Sequence, residues 1–157
     1  MKKDTLISND IKYIGVDDKD IDLFEGQYVV PNGISYNSYL IKDEKTVVMD
    51  TVDKRKSKEW FENLQKELNG RDPDYLVVSH MEPDHSYNIE KLAKMYPKMK
   101  IIGNEKIFEF IPQFFEIPNL EERKIVVKEA QEIKLGKHIL QFFMAPMVHW
   151  PEVMVTY

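Results

Sequence analysis

Apolar positions along this chain change period as the sequence advances. Short runs rich in β-branched and aromatic residues at 11–16, 27–30, 35–41 and 46–50 predict strands, and the polar turn Lys42-Asp43-Glu44-Lys45 between the last two predicts a hairpin. From residue 54 the spacing lengthens. Phe61, Leu64 and Leu68 recur at i, i+3 and i+7 with Trp60 alongside, so residues 54–69 read as a helix with one apolar stripe, stopped by Gly70. The run at 75–79 is a buried strand. Ile89, Leu92, Ala93 and Tyr96 then put an apolar face on a helix over 86–96, with Pro97 just beyond it. A strand at 100–103, an aromatic-rich helix at 105–115, strands at 124–127 and 139–144, and a last β-branched and aromatic run at 153–157 complete the pattern. Strands alternating with helices in this way predict an α/β fold.

The strand at 75–79 leads directly into His80-Met81-Glu82-Pro83-Asp84-His85, which holds four side chains able to bind a metal within six residues. Successive side chains of an extended chain point to opposite faces. His80, Glu82 and Asp84 are therefore expected on one side and His85 on the other, so that a single loop could serve two neighbouring ions. Pro83 confines Glu82 to extended backbone and stiffens the loop. The plainer alternative makes Asp84 or Ser86 a helix cap and both histidines ordinary loop residues.

This segment resembles the metal-binding loop of the metallo-β-lactamase superfamily, His-x-His-x-Asp-His, and the Glu at the third position is similar to the flavodiiron variant. Gly33-Ile34-Ser35-Tyr36-Asn37-Ser38-Tyr39-Leu40-Ile41 resembles that family's second strand, and Val47-Val48-Met49-Asp50-Thr51-Val52 its third. His149-Trp150-Pro151-Glu152 resembles the stretch carrying its next metal-binding His. The resemblance implies a metallo-β-lactamase-like αββα sandwich of which residues 1–157 are the N-terminal portion, an incomplete di-iron domain that stops before the last ligands, with no second domain. Carried over residue by residue, it implies His80, Glu82 and His149 on one iron and Asp84 and His85 on the other. A bridging carboxylate and a final His would follow beyond Tyr157.

The same resemblance implies reduction of dioxygen to water, or of nitric oxide to nitrous oxide. Electrons would come from a flavin domain or a redox protein, FMN belonging to the full-length parent only, so that this chain alone is inactive. Half of a sandwich leaves a sheet face and an edge uncovered, from which a homodimer or an exchange of elements between copies is expected. Five ligands without the bridge leave two cations repelling each other, so one ion or none is expected, filling the His80, Glu82 and His149 position first.

A carboxylate at position 82 makes the donor set harder and more anionic than a zinc hydrolase site, which favours iron, with zinc or manganese as substitutes. Two other functions remain open: a flavin-free module that binds and senses oxygen at a di-iron site, and a zinc-dependent hydrolase of the wider superfamily. Asp50 is read either as a group that orients a metal-binding His by a hydrogen bond or as a strand-end turn residue. Trp150 is expected, by the resemblance, to wall the metal pocket. His138 is read as a surface residue, and Phe108, Phe110, Phe114 and Phe115 as core packing. Some members of the resembled family have a His near the metals before the second strand, where this chain has Pro31-Asn32-Gly33.

Composition sets the remaining bounds. Across 157 residues the chain is 43% apolar and 31% charged with a net charge of -5, ordinary for a globular protein, and its interspersed lysines form no basic face for nucleic acid. The absence of cysteine excludes disulfides, thiolate metal sites and a Cys nucleophile and fits a reducing cytoplasm. Met1-Lys2-Lys3-Asp4-Thr5 leads into no signal-peptide core. The apolar-rich stretch 139–148 is too short to cross a bilayer, so a cytoplasmic protein without membrane contact is expected.

Overall fold

The computed structural model describes residues 7–157. Residues 1–6, where the N-terminal targeting reading falls, lie outside the described residues.

The first strand run is divided. It forms β1 (Ile11–Tyr13) and β2 (Val16–Asp18), because the amides of Ile14 and Gly15 both donate to the Ser38 carbonyl, at 2.9 and 3.0 Å, and so interrupt the ladder. Glycine is required at position 15, since a Cβ there would collide with the Tyr36 carbonyl oxygen. The run predicted at 35–41 divides at the matching place into β5 (Ile34–Tyr36) and β6 (Tyr39–Lys42). Between these pairs in sequence, two very short strands, β3 (Leu23–Phe24) and β4 (Tyr28–Val29), form a separate hairpin.

β6 turns through the predicted hairpin into β7 (Thr46–Met49), and parallel strands follow through helical crossovers: α1 (Ser57–Leu68) leads to β8 (Tyr75–Val77). Next come the short α2 (Pro83–Ser86), α3 (Ile89–Met95) and β9 (Lys100–Gly103), then α4 (Glu105–Phe114), the single turn α5 (Leu120–Arg123) and β10 (Lys124–Val126). The main sheet has the order β1-β6-β7-β8-β9-β10, antiparallel through β7 and parallel from β7 to β10. A second sheet pairs β11 (Glu132–Lys134), β12 (Ile139–Met144) and β13 (Met154–Thr156), all antiparallel.

The central strands are buried on both faces, as their continuous apolar runs require: Leu40, Val47, Val48, Leu76, Ile101 and Ile102 are fully buried. Helix α1 contributes Trp60, Phe61, Leu64 and Leu68, the predicted stripe, and ends at Asn69 with a left-handed φ of 48° just ahead of Gly70. Helix α4 buries Phe108 beside Ile107 and Ile111, whereas Phe114, read as core, is exposed because it falls on the solvent side of the helix's last turn. In the second sheet Leu140, Phe142 and Met154 face the core, while the opposed pair Phe143 and Val155 face solvent. No helix among the described residues is long and apolar enough to cross a membrane.

Candidate metal centre

The loop after β8 lies where open α/β sheets gather their ligands, at the carboxyl ends of the parallel strands. Its first peptide is held from both sheets. The Ser79 amide donates to Asp50 Oδ1 at 2.6 Å, and the Ser79 carbonyl accepts from the Met154 amide at 3.0 Å. Asp50 can turn beneath the loop because it adopts a left-handed φ of 53°, a conformation that aspartate tolerates better than most residues. Ser38 joins the same support: its hydroxyl donates to the Asp50 carbonyl and accepts from the Trp60 indole, both at 3.0 Å.

His80, Glu82 and His149 converge. Nε2 of His80 and Nε2 of His149 stand 3.1 Å apart, and each is 2.9 Å from Oε2 of Glu82. Such edges are those expected of donors placed about 2.1 Å from a common cation at roughly right angles. Among the described residues this is the set of His and carboxylate groups whose ligand atoms all lie within 4.8 Å of one another. His80 and Glu82 are buried, while the His149 side chain is 66% exposed, so the triangle is closed from beneath and open towards solvent. The Trp150 ring stands perpendicular to that of His80, 5.3 Å between centroids, and walls one side.

Asp84 and His85 do not join this triangle. Extended alternation ends at Glu82, whose φ of -59° and ψ of 142° are those expected before proline, and Pro83 then opens α2. A helical turn replaces the expected extended path, which is why Asp84 leaves the side shared by His80 and Glu82. His85 Nε2 lies 3.5 Å from Asp84 Oδ2, and its Nδ1 lies 3.7 Å from Asp50 Oδ2, too long for a hydrogen bond. Asp84 Oδ1 and His85 Nδ1 are both buried without a hydrogen-bond partner. Neither Asp84 nor Ser86 caps the helix; the Ser86 hydroxyl donates to the Met81 carbonyl instead, at 2.8 Å.

The electrostatics favour a cation. Burial, reinforced by the neighbouring carboxylates of Glu25 and Asp84, pushes Glu82 up to about 7. Burial also raises Asp84, against the opposing pull of His85 and His80. Burial pulls the His85 ring down, but Asp50, Asp84 and Glu82 together outweigh it and push it up to about 9. Crowded, partly desolvated carboxylates beside imidazole nitrogens that face one another are relieved by a positive ion, so the residues present fit a metal.

Three features escaped the sequence reading. Glu152 is completely buried; its Oε1 lies 2.7 Å from His80 Nδ1 and accepts from the Met81 amide at 2.9 Å. Its only sequence signal is a carboxylate three residues after His149. Glu25, at the tip of the β3–β4 hairpin, has a left-handed φ of 52° and reaches Glu82, and the two line a cavity of about 370 Å³ with Arg55 and Asp84. His138, read as a surface residue, is half-buried and bonded to Asp43, its amide and Nδ1 each 2.8 Å from Oδ2.

A sequence profile described as ODP family beta lactamase matches residues 34–157. The anaerobic nitric oxide reductase flavorubredoxin of Vibrio vulnificus is 36% identical over 152 residues, which cover 96% of this chain and 31% of that relative. An uncharacterized protein of Methanocaldococcus jannaschii is 38% identical over 151 residues, covering 96% and 37%. Among solved structures, the flavodiiron protein from Giardia intestinalis superposes with a TM-score of 0.89 at 26% identity, covering 100% of this chain and 38% of that one. A flavoprotein from Thermotoga maritima gives 0.84 at 32% identity, covering 94% and 36%. The chain spans about a third of the length of the curated relatives it matches.

Proposed function

The chain belongs to the ODP beta-lactamase family, and from that membership we propose that it is the metal-binding part of a flavodiiron oxidoreductase that reduces nitric oxide to nitrous oxide, or dioxygen to water. The observation that carries this reading is the triangle of His80, Glu82 and His149, two imidazoles and one carboxylate facing one another at 2.9 to 3.1 Å. These three residues would hold one iron, and Asp84 and His85 would contribute to a second. Iron bound there supplies open coordination positions and electrons for the reduction.

The chain's own residues do the rest. His80 and Glu82 exclude water from beneath the ion, the exposed edge of His149 leaves an approach for a diatomic gas, and Asp50 holds the loop at Ser79. Glu82 supplies a hard anionic donor where a zinc hydrolase has imidazole, which tilts the site towards iron. FMN on a separate domain or redox protein is the electron source, and a homodimer brings the two centres together.

The test is anoxic loading of parallel samples of the purified chain with ferrous ions or with zinc ions, followed by metal analysis, optical spectra before and after nitric oxide or oxygen, and an ester and lactam hydrolysis assay. Retained iron with a spectral response to gas is expected. Exclusive zinc retention with ester or lactam hydrolysis would overturn the reading in favour of a hydrolase.

A further inference from the structure

We infer that Glu152 is a positioning residue: its buried carboxylate accepts a hydrogen bond from Nδ1–H of His80 and so commits Nε2 of that ring to a cation. The inference rests on the metal-centre reading above and concerns a residue outside the ligand set. Glu152 has 0% exposure, and its Oε1 serves two partners from the middle of the sequence, His80 Nδ1 at 2.7 Å and the Met81 amide at 2.9 Å. Its own backbone is fixed as well, the carbonyl accepting from the Asn104 side-chain amide at 2.7 Å. The residue therefore holds the late loop that carries His149 against the early loop that carries His80.

The charge is what needs explaining. Oε2 of Glu152 is buried without a hydrogen-bond partner. A strut that only joined the two loops would be served as well by glutamine, whose Oε1 could accept both hydrogen bonds without placing a half-satisfied anion in the interior. A carboxylate at this place gains its advantage when the far side of the imidazole carries a cation: the ring donates Nδ1–H to Glu152, Nε2 presents its lone pair to the metal, and the anion strengthens that nitrogen as a donor. Nε2 of His80 faces Glu82 and His149, in the direction this arrangement requires.

The decisive variant is Glu152→Gln, which keeps shape and acceptor and removes charge. Ferrous ion affinity of the full 157-residue chain, measured anoxically by competition with a chromophoric chelator, should fall about 10- to 100-fold, as it does when partners of this kind are removed elsewhere. The melting temperature of the metal-free variant should not fall. Affinity within twofold of the unaltered chain would leave Glu152 as a plain strut and overturn the inference. If the variant does not fold, the His80 tautomer in the unaltered, metal-free chain decides by long-range nitrogen–proton NMR: a proton on Nδ1 supports the inference, and a proton confined to Nε2 overturns it. No iron uptake by either protein would overturn the metal-centre reading and this inference together, whereas equal uptake by both would overturn this inference alone.

Discussion

The two halves of the imidazole and carboxylate cluster differ in how they are tied to the rest of the molecule. His80, Glu82 and His149 meet because Glu152, 72 positions beyond His80, bonds the early loop from the late one. Asp84 and His85 sit on the helical turn that Pro83 starts, His85 facing Asp50 at longer range, and each keeps one buried atom without a partner. Metal-capable residues adjacent in sequence are therefore not a metal site until tertiary contacts aim them; the converged half owes its geometry to a strut contributed by a distant loop.

Several experiments would sharpen or break this contrast. The largest effect is expected from His80→Ala or His149→Ala, each of which removes one corner of the triangle. Ferrous ion affinity should fall by more than about 100-fold, past the range seen when only a ligand's supporting partner is lost. Chelator competition checks this, and affinity unchanged in either variant would show that the triangle is not where the ion binds.

Asp50→Ala comes next. It removes the acceptor of the Ser79 amide and places alanine at a left-handed φ of 53°, so urea unfolding should show a loss of about 2 to 3 kcal/mol. Asp50→Asn keeps both the acceptor and the tolerance for that backbone and should recover at least half of the loss. Asp84→Asn should change affinity for the first ion by less than about threefold, since Asp84 lies outside the triangle and acts on it only through partly screened charge. A tenfold change would mean that both halves hold one ion together.

A third carboxylate and imidazole pair serves as the control. Asp43 and His138 link the β6–β7 turn to the β11–β12 turn, and the backbone and ring donors of His138 hold the Asp43 carboxyl down at about 2, below its usual 3.8. A carboxyl depressed in the folded state contributes stability that is complete above 3.8 and lost as pH falls from there through about 2. Asp43→Asn should flatten the acid limb of the melting temperature against pH profile across that window and leave iron affinity unchanged. An identical acid limb in both proteins would exclude Asp43 as its source.

Much of this arrangement could be read from the chain. The α1 stripe, the continuous apolar strands β7 to β9 and the His80–His85 loop after β8 all follow from local spacing or from contiguous motif residues. What could not be read depends on through-space contact. β1 and β2 separate because the Ile14 and Gly15 amides both turn to the Ser38 carbonyl, and strands of two residues, as in the β3–β4 hairpin, are too short to show a period. At Pro83 two local tendencies compete. Proline holds the preceding residue extended, as was expected of Glu82, yet also favours the first position of a helix, which is what turns Asp84 aside. Glu152 gave no periodic signal at all, since its partners lie 71 and 72 residues away along the chain.

The unequal solvent access of the three converging groups would give an ion held there one open side. His149 presents its imidazole to solvent, whereas His80 and Glu82 lie buried beneath it. A change at position 149 is therefore expected to alter how fast cations are captured and released, and a change at position 80 how firmly they are kept.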